Sequence, residues 1–323
     1  MGGIMARNSV QFQKGLSEAG FMQLYGTEDA CRAALFSWRW PEGFVCPACG
    51  GMRYCVVSQE GRQLHQCNAC RTQTSLISGT IFASTKLPLA IWFRAMYLLT
   101  QCKHGISRIE LSRRLGVSYN TAWMMHHKLS QVMMERDRGK PLDGRVEMDD
   151  AYLGGERNGG KRGRGSPGKT PIVVAVETTP APAAKPIRLK IRRVKRFSKK
   201  HIEGLAAGIL KRGAQVLTDG LGCFNGLKAA GCTHEVIVSG PGRRSARNPL
   251  FKWVNTALAN IKTSLDGTYR KVSKSHAPRS LAEFEYRFNR RYDLAAMMPR
   301  LGWAAARTTP MPHRLLKLAE DYG

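Results

Sequence analysis

Residues 146–156, with the sequence VEMDDAYLGGE, indicate how the second half of the chain is built. The segment predicts a β-strand that carries carboxylates and leads into a glycine-rich, strongly basic loop. Beside so many lysines and arginines, a carboxylate would ordinarily form an ion pair. On a strand, however, carboxylates are also suitable ligands for a hard divalent cation that acts on phosphates. We therefore expect a metal site on this strand.

The charge of the chain predicts a polyanionic partner. Its 323 residues carry a formal net charge of +28, and such an excess destabilises a compact fold by self-repulsion. Nucleic acid is the leading candidate, ahead of an anionic membrane surface. No apolar stretch of roughly 18 residues is present to span a membrane, and we expect no signal peptide. This length predicts two or three domains.

Two Cys-x-x-Cys pairs predict a structural zinc site. Cys46 and Cys49 are followed, after 17 intervening residues, by Cys67 and Cys70, and each pair places two thiolates on one side of a tight turn. Four thiolates on two such turns form a closed tetrahedral site for Zn²⁺. A redox pair would instead open a helix after a strand. Nine cysteines are also an odd number for a disulfide framework.

Residues 104–129 predict a helix-turn-helix. Ser107 can cap the first helix, Gly116 can end it in the left-handed conformation, and Ser118 can cap the second. The second helix would bury Ala122, Met125 and Leu129 and enter the major groove of DNA. The residues expected to contact DNA are Ser118, Tyr119, Asn120 and Trp123. The side chains expected to be exposed on this helix also include His126, His127 and Lys128.

The glycine-rich loop after the opening strand predicts contacts with phosphates. Its cations Lys161, Arg162 and Arg164 are the candidates, and its glycines allow a close approach of the backbone. A solvated loop that becomes ordered only on DNA is the alternative. The loop is not a P-loop, because no Gly-Lys-Ser/Thr follows a strand and opens a helix at the required spacing.

The remaining pattern predicts a mixed α/β domain. From Val146 onward it gives three strands, a helix, a strand, a helix, a strand and a final helix. Asp149 lies on the first strand and Asp219 at the end of the fourth. In an RNase H-like sheet these strands are neighbours, so both carboxylates can hold the same metal ions. A third ligand is expected from the late helix, where residues 253–265 contain Asn255 and Asn260 but no acid.

Several motifs resemble those of the zinc-ribbon transposases of bacterial insertion sequences, which are relatives of the Merlin elements. Residues 149–155 read DDAYLGG, where the family usually has Asp-Glu-x-Tyr-x-Gly-Gly. Further similar segments occur in matching order between about residues 40 and 292. They are 79–82 (GTIF), 85–89 (TKLPL), 218–220 (TDG), 254–256 (VNT), 267–269 (GTY), 273–276 (SKSH) and 283–291 (EFEYRFNRR).

The resemblance implies a multidomain α+β protein with metal-dependent catalysis. Its expected parts are an N-terminal segment (1–38), a zinc ribbon (39–84), a helix-turn-helix domain (85–140), an RNase H-like catalytic domain (145–295) and a C-terminal tail (296–323). Asp149 and Asp219 are the implied catalytic ligands of Mg²⁺ or Mn²⁺. Some branches of the family use Asn as the third member, so Asn260 is the first candidate and Asn255 the second. Asp150, Glu147 and Glu156 could assist, but we expect them to lie on the surface or to act only through other residues.

The implied function is that of a DNA transposase. Such a protein binds the terminal inverted repeats of its element, cleaves the DNA end with Mg²⁺ and transfers the strand to target DNA. We expect a bacterial, cytoplasmic protein, associated with the nucleoid and forming a homodimer or larger oligomer on DNA. Two alternatives remain open: a zinc-ribbon DNA-binding regulator with an inactive RNase H-like scaffold, and a structure-specific DNA nuclease that performs no strand transfer.

Overall fold

The computed structural model describes residues 10, 12–59, 62–154, 169–238, 248–269 and 273–318. The chain divides into two compact units, Met1–Met133 with Arg291–Lys317, and Met134–Arg290 with Leu318–Gly323. Among the described residues, no helix is both long and apolar enough to cross a bilayer.

The helices and strands follow one another along the chain in three groups. The first group is α1 (Glu18–Tyr25), α2 (Glu28–Arg39), β1 (Tyr54–Gln59), β2 (Arg62–Cys67), β3 (Gln73–Ser75), α3 (Leu89–Gln101), α4 (Arg108–Leu115) and α5 (Tyr119–Arg138). The second is β4 (Arg145–Leu153), β5 (Thr170–Thr178), β6 (Pro186–Arg193), α6 (Lys199–Ile209), β7 (Gln215–Thr218), α7 (Gly226–Ala229) and β8 (Thr233–Val236). The third is α8 (Lys252–Ser264), α9 (Ala277–Asn289), α10 (Met297–Ala305) and α11 (His313–Lys317).

The capping pattern predicted for the helix-turn-helix is present in α4 and α5. The Ser107 hydroxyl accepts the Glu110 N–H at 3.1 Å, and the Ser118 hydroxyl accepts the Thr121 N–H at 3.2 Å. Gly116 ends α4 with a left-handed φ of 65°, a conformation that glycine adopts easily because it has no Cβ. The three residues predicted to face inward are fully buried: Ala122, Met125 and Leu129.

The middle of α5 buries polar side chains that the sequence pattern predicted to be exposed. His126 and His127 are fully buried, and Lys128 is 7% exposed. The Lys128 ammonium donates to the Ile81 carbonyl at 3.2 Å. The prediction was wrong because segments distant in the sequence surround this part of the helix, which helical periodicity alone does not reveal.

The C-terminal segment, predicted to be a tail, belongs to the first unit. There α10 packs against α2 and α3. Gly302 lies against the ring of Trp38, which stacks on Phe93 with centroids 5.1 Å apart. A Cβ at Gly302 would overlap the Trp38 ring, so glycine permits this close approach. Residues 291–317 therefore complete the core of the first unit.

The second unit contains a five-stranded mixed sheet in the order β6-β5-β4-β7-β8. β4 pairs antiparallel with β5, and β5 with β6, whereas β7 is parallel to β4 and β8 is parallel to β7. The first three strands of this unit therefore form a meander, and the next two lie on the other side of the first. This order confirms the predicted RNase H-like sheet, with β4 in its centre.

Helices cover both faces of this sheet. α6 and α7 pack on the face that contains Val146 and Met148, and α8 packs on the face that contains Ala151 and Leu217. Successive residues of a strand point to opposite faces. Alternation along β4 therefore assigns Glu147 to the face that α8 covers.

Side chains of α9 cover the outer edge of β6. Asn289 accepts the Leu189 N–H at 2.7 Å and donates to the Leu189 carbonyl at 3.1 Å. Glu285 accepts the Ile191 N–H at 3.0 Å and pairs with two cations of the same strand. An uncovered edge strand can pair with another chain, so this part of the motif at 283–291 protects the sheet.

Candidate active site and zinc site

Asp149 on β4 and Asp219, the residue that directly follows β7, lie close together. The parallel pairing of β4 with β7 places Glu147 opposite Leu217, and Asp149 and Asp219 follow these two residues by two positions each. One carboxylate oxygen from each of Asp149, Asp150 and Asp219 lies within 4.8 Å of the others. The structure thus brings the two aspartates together and adds Asp150, for which only an assisting role was expected.

The three carboxylates repel one another when no cation lies between them. Burial raises the pKa of Asp149, and the charges of Asp150 and Asp219 raise it further, to about 7. Two groups oppose this rise: the Asp150 N–H, which donates to Asp149 Oδ1 at 2.8 Å, and the Lys262 ammonium. Such a perturbed pKa, caused by burial and like charges, is typical of functional sites.

Glu147 connects the carboxylate strand to α8. Its side chain is fully buried, and Oε2 accepts the backbone N–H groups of Trp253 and Val254 at 2.8 and 3.1 Å. Oε1 accepts a hydrogen bond from Arg145 at 2.8 Å. The first N–H groups of a helix have no partner within it and carry partial positive charge, so a carboxylate there is stabilising. Glu147 thereby fixes where α8 begins relative to Asp149.

Helical geometry separates the two asparagines of α8. Asn255 is half-buried and lies about 20° around the helix axis from Lys262, the residue whose charge reaches Asp149. Asn260 is exposed and lies about 160° from Lys262, on the other side of the buried stripe. The residues of that stripe are Val254, Ala257, Leu258 and Ile261. Asn255 therefore shares a flank of α8 with Lys262, whereas Asn260 lies on the opposite flank.

The donors of the carboxylate cluster suit a hard divalent cation. Mg²⁺ prefers oxygen ligands and usually takes one or two carboxylates together with waters and substrate phosphates. Three half-buried carboxylates offer such donors, and no cysteine or histidine joins this cluster within the described part of the chain. The site thus fits Mg²⁺ or Mn²⁺ by its chemistry.

The four cysteines of the first unit form a second cluster. Their sulfurs all lie within 4.8 Å of one another, with Cys46 and Cys70 at 3.5 Å and Cys49 and Cys67 at 3.6 Å. Thiolates about 2.3 Å from a tetrahedral Zn²⁺ would lie about 3.8 Å apart. The cluster is therefore close to the geometry that this ion requires.

The two cysteine turns share one backbone geometry. Gly50 and Arg71, which follow the second cysteine of each pair, have φ values of 72° and 62°, and each donates its N–H to the carbonyl of the first cysteine. In the second turn, hydrogen bonds from Thr72 lower the pKa of Cys70 to about 6. Because the thiolate is the form that binds metal, this turn favours zinc binding.

The residues predicted to contact DNA have different surroundings. Ser118, Tyr119 and Asn120 are exposed around the start of α5. Trp123, by contrast, is half-buried, and its ring centroid lies 4.3 Å from that of His127 and 5.8 Å from that of His313. It packs within the first unit, which corrects its expected open position. Glu156 and the loop residues Lys161, Arg162 and Arg164 lie outside the described residues.

The sequence contains a signal for the relative positions of two further residues. Glu147 precedes Asp149 by two positions, which places both on one face of a strand. Asn255 precedes Lys262 by two helical turns, which places both on one flank of a helix. The contact between Glu147 and Trp253 has no such signal, because it joins residues 106 positions apart.

Comparison with known proteins agrees with this arrangement. Residues 141–289 match the family model of the ISXO2-like transposase domain, and residues 26–73 match that of the transposase zinc-ribbon domain. A relative from Halobacterium salinarum, described as an uncharacterized protein in transposable element ISH50, is 26% identical over 230 residues, covering 63% of this chain and 71% of that protein. The matched regions contain the carboxylate cluster and the four cysteines. The chain therefore combines a transposase zinc-ribbon domain with an ISXO2-like transposase domain, as insertion-sequence transposases do.

Proposed function

We propose that the chain cleaves the DNA ends of its own insertion sequence and joins them to target DNA, with Mg²⁺ as cofactor. The observation that carries this proposal is the cluster of Asp149, Asp150 and Asp219 within 4.8 Å of one another. Acids gathered in this way repel one another unless a cation compensates them. A chain with a net charge of +28 would supply the remaining attraction for the DNA that this cation acts on.

Asp149 and Asp219 are the proposed metal ligands. When bound, Mg²⁺ or Mn²⁺ would activate the attacking oxygen and stabilise the leaving oxygen of the phosphodiester. Asp149 on β4 and Asp219 directly after β7 would hold the ion, and the hydrogen-bonded pairing of these two strands limits changes in their separation. Asp150 adds a third negative charge, which strengthens the attraction for a cation.

Asn255 is the proposed third ligand, in place of Asn260. Its half-buried position on the same flank of α8 as Lys262 supports this choice, as does the exposure of Asn260. An amide oxygen carries no net charge, so metal binding should depend more on substrate phosphates than it would with a third acid. Lys262 is suited to contact a phosphate oxygen once a cation has neutralised the aspartates.

The first unit is the proposed reader of the terminal inverted repeats. Ser118, Tyr119 and Asn120 are exposed at the N-terminal end of α5, from which a recognition helix contacts the edges of bases. Zinc on the four cysteines would hold the ribbon in its folded form. Because an element has two ends, we infer that a homodimer or larger oligomer forms on DNA.

A strand-transfer assay with labelled element ends, with and without Mg²⁺, tests the proposal. We expect the wild-type protein to cleave and join DNA only with Mg²⁺, and Asp149→Asn and Asp219→Asn to bind DNA without cleaving it. Cleavage that survives in either variant would refute the assignment. Sequence-specific binding without any cleavage by the wild type would favour a regulator. Cleavage that follows DNA shape, without joining, would favour a nuclease.

A matched pair of variants tests the third ligand. Asn255→Ala and Asn260→Ala make the same change at two positions of one helix. We expect Asn255→Ala to slow cleavage by about 100-fold, since small losses of positioning have effects of this size, and Asn260→Ala to cleave like the wild type. The opposite result would return the role to Asn260.

A further inference from the structure

The segment that follows β6 carries a row of exposed cations. We call Lys195, Arg196, Lys199 and Lys200 the basic strip; all four are exposed. The sequence between Glu177 and Glu203 contains no acid, and none of the four forms an ion pair with a residue in the described ranges. Their charges are therefore available to an external anion.

Apolar contacts fix the basic strip to the sheet. Val194 is buried and donates its N–H to the Pro171 carbonyl at 3.1 Å. Phe197 packs edge-on against Tyr152, with ring centroids 5.2 Å apart. Tyr152 follows Asp150 by two positions on β4. The apolar side chains of this segment thus face the protein, while its cations face solvent near the carboxylate cluster.

The strand register gives the distance between Asp150 and Val194, the residue that directly precedes the strip. Asp150 pairs with Val173, which pairs with Arg192, so Val194 lies two strands across and two residues along. With about 4.8 Å between strands and 3.3 Å per residue, the Cα atoms of Asp150 and Val194 are about 12 Å apart. This distance corresponds to roughly three to four base-pair steps along the helix axis of B-form DNA.

A cleft next to the strip adds further positive charge. It has a volume of about 240 Å³, and its polar lining consists of Arg138, Arg192, Arg193 and His201. Arg192 also pairs with Glu285 at 2.7 Å, so part of its charge is compensated. Guanidinium groups bind phosphate oxygens in a forked geometry, and the cleft therefore extends the anion-binding character of the strip.

We propose that the basic strip binds the phosphate backbone of DNA a few nucleotides from the phosphodiester that is cleaved. The position of the cleaved bond rests on the proposed function, whereas backbone binding can be measured separately. A row of separate ammonium and guanidinium groups matches the regularly spaced phosphates of DNA. An anionic membrane fits less well, because Val194 and Phe197 face the protein and cannot insert into lipid.

Two variants with the same change in charge test the strip. The strip variant replaces Lys195, Arg196, Lys199 and Lys200 with glutamine. The control variant replaces three lysines and one arginine that are exposed at the opposite end of the same sheet: Lys185, Lys211, Arg212 and Lys228. Both variants of the full-length protein are titrated with a short fluorescein-labelled DNA duplex over a range of salt concentrations.

Here K is the association constant for DNA, and log K falls as log salt concentration rises. We expect this fall to be less steep for the strip variant by about 3 to 4, since each lost phosphate contact contributes about 0.9 to the slope. Its affinity at low salt should fall at least roughly tenfold below that of the control variant. Equal slopes for the two variants would overturn the proposal, because only total charge would then matter. Loss of binding to phosphatidylserine vesicles with unchanged DNA binding would also overturn it.

Two further variants of the protein distinguish the remaining explanations. Replacing Lys195, Lys199 and Lys200 with arginine keeps the charge and should keep the wild-type slope. A less steep slope would mean that the segment affects DNA binding through the fold and not through its charge, which would overturn the proposal. Loss of cleavage in Asp149→Asn tests the proposed function, whereas the slopes of the strip and control variants, which both keep Asp149, test the strip. Failure of the proposed function and failure of the strip are therefore distinguishable.

Discussion

Replacing Glu147 is expected to loosen α8 from the strand that carries Asp149. The Glu147 carboxylate accepts two helix N–H groups and a hydrogen bond from Arg145 at distances of 2.8 to 3.1 Å. The Arg145 side chain is 10% exposed and that of Glu147 is 0% exposed. Glu147→Ala would leave a buried guanidinium unpaired, which typically costs about 3–5 kcal/mol. Glu147→Gln keeps one acceptor oxygen, so its cost should be about 1–3 kcal/mol.

The same replacement should weaken metal binding, because α8 carries Asn255 and Lys262. Loss of a group that orients metal ligands usually lowers metal affinity by about 10- to 100-fold. We expect Glu147→Gln to bind Mn²⁺ about tenfold less tightly than the wild type, with free Mn²⁺ measured by electron paramagnetic resonance. Urea unfolding of the same samples gives the change in the free energy of unfolding.

Glu177→Gln is the matched control for this experiment. Glu177 is also buried, pairs with Arg188 at 2.8 Å and accepts the Asp143 N–H at 3.3 Å, but these partners lie outside α8. We expect Glu177→Gln to lose a similar amount of stability and to bind Mn²⁺ normally. If Glu147→Gln also bound Mn²⁺ like the wild type, the inference that Glu147 positions the metal site through α8 would be refuted.

Three further predictions concern pH, zinc and a buried ion pair. The folded-state pKa of Asp149, about 7, exceeds its ordinary value of 3.8, so its stabilising contribution is complete below about pH 4 and is lost as the pH rises to about 7. Asp149→Asn should remove this part of the pH dependence of urea unfolding in EDTA; an unchanged pH dependence would contradict it. Cys46→Ser should abolish zinc binding, measured by atomic absorption, whereas Cys55→Ser, at an exposed cysteine outside the cluster, should retain zinc. Asp137→Asn should lower the free energy of unfolding by about 3–5 kcal/mol at pH 7, because Arg290 would lose a buried carboxylate partner at 2.7 Å. A loss below about 1 kcal/mol would show that this ion pair is not important for stability.

The features that the sequence predicted correctly depend on residue type and local spacing. Two Cys-x-x-Cys pairs place four sulfurs together whatever surrounds them, and the helix caps at Ser107, Gly116 and Ser118 act on backbone groups within a few residues. The order of strands along the chain followed from apolar segments of strand length. Acids on two of these strands indicated the carboxylate cluster. Each of these signals lies within a short stretch of the chain.

The features that could not be predicted from the sequence depend on contacts between distant segments. The Lys128 ammonium finds the Ile81 carbonyl, Gly302 lies against Trp38, and the Glu147 carboxylate meets the first turn of α8. The choice between the two asparagines of α8 stays a prediction that rests on the same kind of distant contact. Periodicity shows which residues share a flank of α8, but the flank that approaches the acids is known only once the helix lies on the sheet.

Two acids on one strand differ in chemistry because their surroundings differ. Glu147 accepts hydrogen bonds from a guanidinium and two helix N–H groups, so its charge is compensated within the protein. Asp149, about 6.6 Å further along β4, accepts one hydrogen bond within the described part of the chain, from the Asp150 N–H, and lies beside two other carboxylates. Its charge must be compensated from outside, which a metal cation can do. Such a cation would also cancel the repulsion between these acids and a DNA phosphate. The surrounding lysines and arginines could then attract DNA to the position where cleavage is proposed.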